Sequence, residues 1–169
     1  SNLRVQYNSW YDFRLDINND NILQSFRDIE KNLTQNGVPP LDSYAIDDGW
    51  NAYGPWQKGN KTHFWEFNQK FPNGLTESSR FAESVVSHLG LWLGPRGGYD
   101  FNAEFAKMLK QYGKGKFNVH SNDIVIGDKV YLKKLQEFFI RCQRLYHINY
   151  WKLDGFMHTP PQPDPENHY

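Results

Sequence analysis

Four short apolar segments alternate with three longer helical patterns, and this alternation restricts the fold more than any other feature of the chain. Strands are predicted near residues 5–10, 44–46, 90–94 and 148–153. Apolar residues recur at helical spacing over residues 19–36, 75–89 and 128–145. Strands separated by single helices form parallel sheets with right-handed crossovers, so we predict an α/β domain with about four parallel strands.

Local signals place the ends of these elements. Asn19 or Asp20 is expected to cap the first helix, and Asn36-Gly37 provides its natural stop. The second helix is expected to bury an apolar face that includes Val86 and Leu89. We treat the chain as a single domain. It also contains a long aromatic loop, a helical insertion and a Pro-rich terminal loop, at residues 51–74, 100–113 and 157–169.

Composition excludes several classes of partner. The chain carries 19 basic and 19 acidic residues, and no basic run offers a footprint for nucleic acid or an anionic membrane. No apolar stretch approaches the roughly 18 residues needed to span a membrane. The histidines lack metal-ligand spacing, and neither a dinucleotide fingerprint nor a phosphate-binding loop is present. We therefore expect no nucleic acid, membrane or metal partner.

The single cysteine, Cys142, rules out an internal disulfide. It lies within a helical pattern, which predicts a core or half-buried position. The first residues, Ser1-Asn2, do not resemble a signal peptide. The compartment, cytoplasmic or secreted, stays open.

A conspicuous motif follows each predicted strand. These motifs are Asn8-Ser9-Trp10, Asp47-Asp48-Gly49-Trp50, Gly94-Pro95-Arg96 and Lys152-Leu153-Asp154. Parallel strands end at one edge of a sheet, and α/β folds keep their sites there. Adjacent aspartates before a glycine are common in turns, but their position after a buried strand favours a site.

The last motif allows two interpretations. Residues two apart on a strand share a face, so Lys152 and Asp154 are expected to lie together at the end of a short buried strand. A buried charge is costly unless it is paired, which is consistent with a structural ion pair. Alternatively, the lysine keeps the aspartate ionised and ready to act as a nucleophile.

Taken together, five motifs in order resemble the α-galactosidase clan of glycoside hydrolases, with family 36 nearest and family 27 more distant. The motifs are Tyr7-Asn8-Ser9-Trp10-Tyr11, Ile46-Asp47-Asp48-Gly49-Trp50, Lys70-Phe71-Pro72-Asn73-Gly74-Leu75, Gly90-Leu91-Trp92 and Trp151-Lys152-Leu153-Asp154-Gly155. The resemblance implies a partial (β/α)8 barrel of the TIM type, comprising about half of the family's catalytic barrel. The sequence departs from family 36 at Gly94-Pro95, where those relatives usually carry Glu-Pro.

The resemblance also implies a role for each site residue. Asp154 is expected to be the nucleophile of a retaining glycosidase, with Lys152 binding sugar hydroxyls and keeping that carboxylate charged. The remaining substrate-binding candidates are Asp47, Asp48, Trp10, Trp50 and Arg96. The two aspartates would accept hydrogen bonds from the 4- and 6-hydroxyls of a galactose-type ring, and Trp10 would lie against its apolar face. The acid/base is expected outside this chain, and no cofactor is implied.

Several residues allow two interpretations. Arg96 either binds a sugar or pairs with an acid, and we favour the site. Trp56 and Trp65 either pack the long loop or line a substrate cleft. Trp92 is expected in the core, whereas His120 and Asn122 are expected to be solvated loop residues.

Two functions from different classes follow. In the first, the parent protein is a retaining glycosidase that cleaves terminal α-galactosyl linkages of an oligosaccharide or glycoside, and this chain alone is inactive or nearly so. In the second, the chain is a non-catalytic carbohydrate-binding or structural half-barrel, which self-associates through open sheet edges. A galactosyl-transferring relative is a variant of the first.

Overall fold

The structure is a computed structural model, and it describes residues 2–54, 64–112, 117, 119–120 and 122–155. The strands are β1 (Gln6–Asn8), β2 (Ser43–Ile46), β3 (Leu89–Leu93), β4 (Val119–His120), β5 (Asp123–Ile124) and β6 (Tyr150–Leu153). The helices are α1 (Trp10–Phe13), α2 (Asn19–Gln35), α3 (Thr76–Ser84), α4 (Asn102–Tyr112) and α5 (Lys129–Tyr146). The terminal loop predicted at residues 157–169 lies outside the described residues.

The main sheet has the strand order β1-β2-β3-β6. β1 pairs in parallel with β2, and β2 pairs in parallel with β3, with Tyr44 opposite both Tyr7 and Leu89. Asn149 N bonds to Leu89 O, and Asp154 N bonds to Leu93 O. Residue numbers increase in the same direction on both sides of these bonds, so β6 also runs parallel to β3. The predicted α/β class with four parallel strands is confirmed.

The chain divides into two compact units. The first unit comprises Ser1–Trp50, Lys70–Trp92 and Cys142–Lys152. The second unit comprises Asn51–Gln69, Leu93–Arg141 and Leu153–Tyr169.

Aromatic packing between the sheet and α2 forms the core of the first unit. The Phe26 ring lies 4.7 Å from the Tyr44 ring and 6.0 Å from the Tyr7 ring, centroid to centroid. Ile22 is buried on the same helix face as Phe26, as the apolar spacing predicts, and Leu23 is buried beside it. Buried aromatic pairs of this kind add to the free energy of folding beyond the area that they bury.

The cap of α2 differs from the prediction. Asn18, rather than Asn19 or Asp20, is the N-cap residue, and its Oδ1 accepts a bond from Asn21 N at 2.8 Å. The Asn21 side chain in turn accepts from Asn18 N, which completes a capping box. Asn18 is the cap because Asn21, three positions later, has a side-chain amide oxygen that accepts a bond from the Asn18 backbone N–H.

The second predicted helix also ends earlier than expected. α3 stops at Ser84, and Val86 has a left-handed backbone (φ +58°) with its side chain 82% exposed. Leu89 belongs to β3, where its backbone pairs with β2. The apolar residues after Ser84 therefore do not continue α3, because Val86 lies in a turn and Leu89 begins β3. Helical spacing alone does not reveal where the helix ends.

The second unit contains α4 and a short antiparallel hairpin of β4 and β5. Trp65 is fully buried here, with its ring 4.7 Å from the Phe105 ring and 6.3 Å from the Phe138 ring. Its indole N–H donates to the hydroxyl of buried Tyr131 at 3.4 Å. A helix, α4, lies within residues 100–113, the segment predicted as a helical insertion.

Two other expectations concern α5 and membrane spans. Cys142, on α5, is buried, as its place in the helical pattern predicts. Among the described residues, no helix has the length and apolar character that a membrane crossing requires.

Candidate functional site

Asp47 follows the last residue of β2 and is held on three sides within the first unit. Its Oδ2 accepts a bond from Lys152 Nζ at 2.8 Å, and its Oδ1 accepts from Asp48 N at 2.9 Å. Its own backbone N–H donates to the buried hydroxyl of Ser9 at 2.9 Å. The strand-ending motifs after β1 and β2 and the lysine of β6 therefore meet at Asp47. The bond from the Lys152 ammonium group to the Asp47 carboxylate joins opposite charges, and hydrogen bonds of this kind are stronger than those between neutral groups.

Asp48 is buried beside Asp47, and its Oδ1 accepts a bond from Gly49 N at 2.7 Å. Lys70 lies near this carboxylate and donates from Nζ to Leu15 O at 2.7 Å. Burial lowers the pKa of Lys70, and the charges of Asp16 and Asp48 partly oppose that effect. Lys70 thus supplies a second positive charge to the Asp47-Asp48 segment.

β6 is not the buried strand that we expected. Trp151 and Lys152 are half-buried, and Leu153 is 47% exposed. The Lys152 side chain is 35% exposed, whereas that of Asp47 is 2% exposed. Lys152 therefore donates to Asp47 from a side chain that is partly exposed, and an ammonium group has three donor hydrogens.

Two tryptophans of the predicted site lie in different environments. Trp10 is half-buried at the start of α1, with the Arg14 guanidinium 5.8 Å from its ring centroid. Trp50 is fully buried, and its indole N–H donates to Trp92 O at 2.9 Å. The Trp50 ring therefore packs in the core of the first unit. Trp92 is in the core, as predicted.

Arg96, in the second unit, forms the ion pair that was one of its two predicted roles. Its Nε lies 2.9 Å and 3.1 Å from the two carboxylate oxygens of Asp123, and its Nη2 also contacts Asp123. The side chains are 16% and 11% exposed. The remaining nitrogen, Nη1, donates to Gly155 O at 3.2 Å. Sequence reasoning gave Asp123 no role.

Asp154 follows β6 and is exposed in the second unit. Its backbone N–H donates to Leu93 O at 3.1 Å, and its Oδ1 accepts from Gly155 N at 2.8 Å. Gly155 has φ +68°, a conformation that favours glycine. An exposed carboxylate on a defined turn is accessible to a ligand, which a nucleophile requires.

Other predicted residues are placed as follows. Trp65 packs the long loop within the second unit, which was one of its two expected roles. Trp56 and the side chain of His120 lie outside the described residues. Asn122 is exposed, as expected of a solvated loop residue. Within the described parts of the chain, no group of three or more His, Cys, Asp or Glu residues could hold a metal ion.

Solved structures with a similar fold are α-galactosidases. A family 36 (GH36) enzyme from Geobacillus stearothermophilus has 18% identity and a TM-score of 0.60, over 90% of this chain and 21% of its own. An enzyme from Thermus thermophilus has 19% identity and a TM-score of 0.64, over 91% of this chain and 31% of its own. The Lactobacillus brevis enzyme has 17% identity and a TM-score of 0.61, over 91% and 20%.

The chain shares its fold with α-galactosidases. The predicted resemblance is thereby confirmed at the level of fold, including the partial (β/α) barrel. The chain spans between a fifth and a third of the length of these structures. No protein-family model and no curated protein matches the sequence.

Sequence reasoning missed three residues that support these positions. Ser9 and Lys70 both lie within motifs that were noticed, but neither was given a role. The position of Ser9 directly after β1 is the signal that could have identified it. Asp123 has no local signal, because its partner Arg96 lies 27 residues away.

Proposed function

We propose that this chain is part of a retaining glycoside hydrolase that removes terminal α-galactosyl groups from oligosaccharides or glycosides. The observation that carries the proposal is the ion pair of Lys152 with Asp47, formed by two strand-ending motifs on an α-galactosidase-like fold. Related structures contain p-nitrophenyl α-D-galactopyranoside, raffinose and stachyose, which supports an α-galactoside as the substrate class.

The substrate-binding roles follow from charge and shape. We assign the 4- and 6-hydroxyls of the sugar to Asp47 and Asp48, and a further hydroxyl to the Lys152 ammonium group. Trp10 offers an apolar ring surface for the C–H face of the sugar. Asp47 and Asp48 are each 1% exposed, so the proposal requires their surroundings to open when the sugar binds.

Asp154 is proposed as the nucleophile. Its carboxylate attacks the anomeric carbon and forms a glycosyl ester while the bond to the leaving oxygen breaks. An acid/base carboxyl protonates the leaving oxygen and then removes a proton from the water that hydrolyses the ester. No motif in this chain matches the family's acid/base, so we assign that group to a segment outside these 169 residues.

Covalent trapping tests the nucleophile. A fluorinated α-galactosyl donor that hydrolyses slowly should label the full-length protein, and peptide mass spectrometry should place the label on Asp154. Asp154→Asn should abolish labelling, whereas Asp100→Asn, at an exposed aspartate of the second unit, should not. A label on any other residue would contradict the assignment.

The carbohydrate-binding alternative predicts a different result. A binding module would bind galactose with no covalent label and no turnover, and the Asp47→Asn substitution would remove that binding. Titration calorimetry with galactose measures the binding, and an assay with p-nitrophenyl α-galactoside separates the two functions, because only an enzyme releases p-nitrophenol.

A further inference from the structure

The segment between β3 and α4 presents Arg96 from a tightly packed backbone in the second unit. Gly97 has φ +122°, and a Cβ there would lie 3.1 Å from Asn102 Cα. A Cβ on Gly98 would lie 2.1 Å from Cζ of Tyr53, a ring that stacks on Phe101 at 5.1 Å. Tyr131 donates from its hydroxyl to Pro95 O on the other side of Arg96. The backbone that carries Arg96 is therefore fixed by close contacts.

Asp123 fixes the direction of the Arg96 side chain. Two guanidinium nitrogens bind the Asp123 carboxylate, a geometry that holds both planes in a defined orientation. Asp123 is itself held, because its Oδ1 accepts from Ile124 N at 2.9 Å. The pair thus directs Nη1 toward Gly155 O, to which it donates at 3.2 Å.

That acceptor belongs to the turn that carries Asp154. The bond from Arg96 Nη1 to Gly155 O holds the carboxyl side of the turn, and the bond from Asp154 N to Leu93 O holds its amino side. The bond from Gly155 N to Asp154 Oδ1 then orients the carboxylate relative to this backbone.

We propose that the Arg96–Asp123 pair is a positioning clamp that holds the Asp154–Gly155 turn and thereby sets the direction of the Asp154 carboxylate. The inference rests on the proposed function for its catalytic meaning, but the clamp itself is a property of the second unit. It reassigns Arg96 from a sugar-contacting residue to a residue that acts through Asp154.

The chemistry of the pair favours this role over simple stabilisation. A mostly buried ion pair adds little net stability compared with apolar residues of similar volume, because both charges lose their hydration. What the pair supplies is a defined relative orientation of two planar groups. A nucleophile needs such geometry, since small displacements from the reacting carbon slow the attack.

Amide hydrogen exchange tests the clamp on this chain. Arg96→Lys keeps the charge but loses the bidentate geometry, and it should accelerate exchange at Asp154 and Gly155 by about tenfold or more. Exchange in β2 should stay unchanged. Arg141→Lys is the matched control, since Arg141 lies over the Phe138 ring, and it should leave both amides unchanged. Unchanged exchange at Asp154 and Gly155 in Arg96→Lys would overturn the proposal.

Asp123→Asn keeps the proposal testable if Arg96→Lys loosens the whole chain. It retains one acceptor oxygen for the guanidinium, and the same criterion applies. Local acceleration at residues 154–155 supports the clamp, and its absence with an intact fold contradicts it.

Kinetics distinguish positioning from sugar contact in a form of the protein that hydrolyses p-nitrophenyl α-galactoside. Positioning predicts that Arg96→Lys lowers kcat by about tenfold or more with KM nearly unchanged. A raised KM with unchanged kcat would instead show direct sugar binding and overturn the clamp. If no form of the protein turns over this substrate, the proposed function fails, while the exchange experiment still decides the clamp.

Discussion

Lys152 and Asp47 meet although β3 lies between their strands in the sheet. The aspartate is almost fully buried and the lysine is about one-third exposed. Removing one partner of such a pair costs more than the pair contributes, because the other charge stays buried without compensation. The structural role of this pair can therefore be measured by unfolding experiments, separately from any role in sugar binding.

Lys152→Met should lower the free energy of unfolding by about 2 kcal/mol, less than for a fully buried pair because the lysine is partly solvated. Urea denaturation measures the change. The double variant Lys152→Met/Asp47→Asn should recover part of the loss, since it removes the orphaned charge.

The matched control is Lys134→Met, at the exposed Lys134–Glu137 pair. This pair is worth at most about 0.5 kcal/mol, as solvent screens both charges. Equal losses for Lys152→Met and Lys134→Met would show that the Asp47 pair is solvated rather than buried.

At the scale of elements, the segment after β2 is shaped by a glycine. Gly49 has φ +118°, and a Cβ there would lie 2.7 Å from Leu15 O and 2.9 Å from Ile17 Cγ1. The Leu15 carbonyl also accepts the Lys70 ammonium, so it cannot shift without loss of that bond. Close packing of this segment holds the backbone that carries Asp47 and Asp48.

Gly49→Ala should therefore destabilise the first unit strongly, by about 3 kcal/mol from steric overlap and an unfavourable backbone together. Gly37→Ala is the control, since Gly37 has φ +66° but open space around its Cα. It should cost only about 1 kcal/mol, the strain of a left-handed residue. Thermal unfolding of both variants provides the comparison, and similar costs would rule out a steric role for Leu15.

Local signals predicted the elements better than their ends. The predicted alternation of strands and helices is present in the structure. The long helical patterns identify α2 and α5, and the strands of the main sheet lie in the short apolar segments between helices. The end of α3 was missed because Leu89 and Val86 continue an apolar pattern although one enters the sheet and the other faces solvent. Asn18 was missed because a capping box depends on Asn21, three residues away.

The sequence predicted the site residues that directly follow a strand. It did not predict contacts between residues that lie far apart in the sequence. Asp47 and Asp154 both follow strands, as expected. The acceptor of Lys152 was not expected to be Asp47, 105 residues away, and sequence spacing carries no information about such contacts. The burial of Trp50 depends on contacts made throughout the first unit.

At the scale of the whole molecule, the chain covers a minor part of each α-galactosidase that it resembles. The proposed nucleophile and sugar-binding residues lie within it, whereas the proposed acid/base does not. Binding and proton transfer are thus assigned to different stretches of sequence.

This chain alone should hydrolyse p-nitrophenyl α-galactoside more slowly than a longer form that supplies the acid/base, by about 10²–10⁴-fold. A chromogenic assay of both forms measures the ratio. The Asp154→Ala variant of the longer form provides the baseline. Rapid turnover by the chain alone, lost on Asp154→Ala, would place the proton donor within these residues.

The burial of Cys142 on α5 has a practical consequence. It is the chain's single thiol, so any thiol-reactive dye has one target, and that target is shielded while the helix stays packed. The rate of its modification then reports how often the helix detaches, without an engineered label. The wild-type chain therefore carries a built-in probe of its own opening, against which each variant can be ranked.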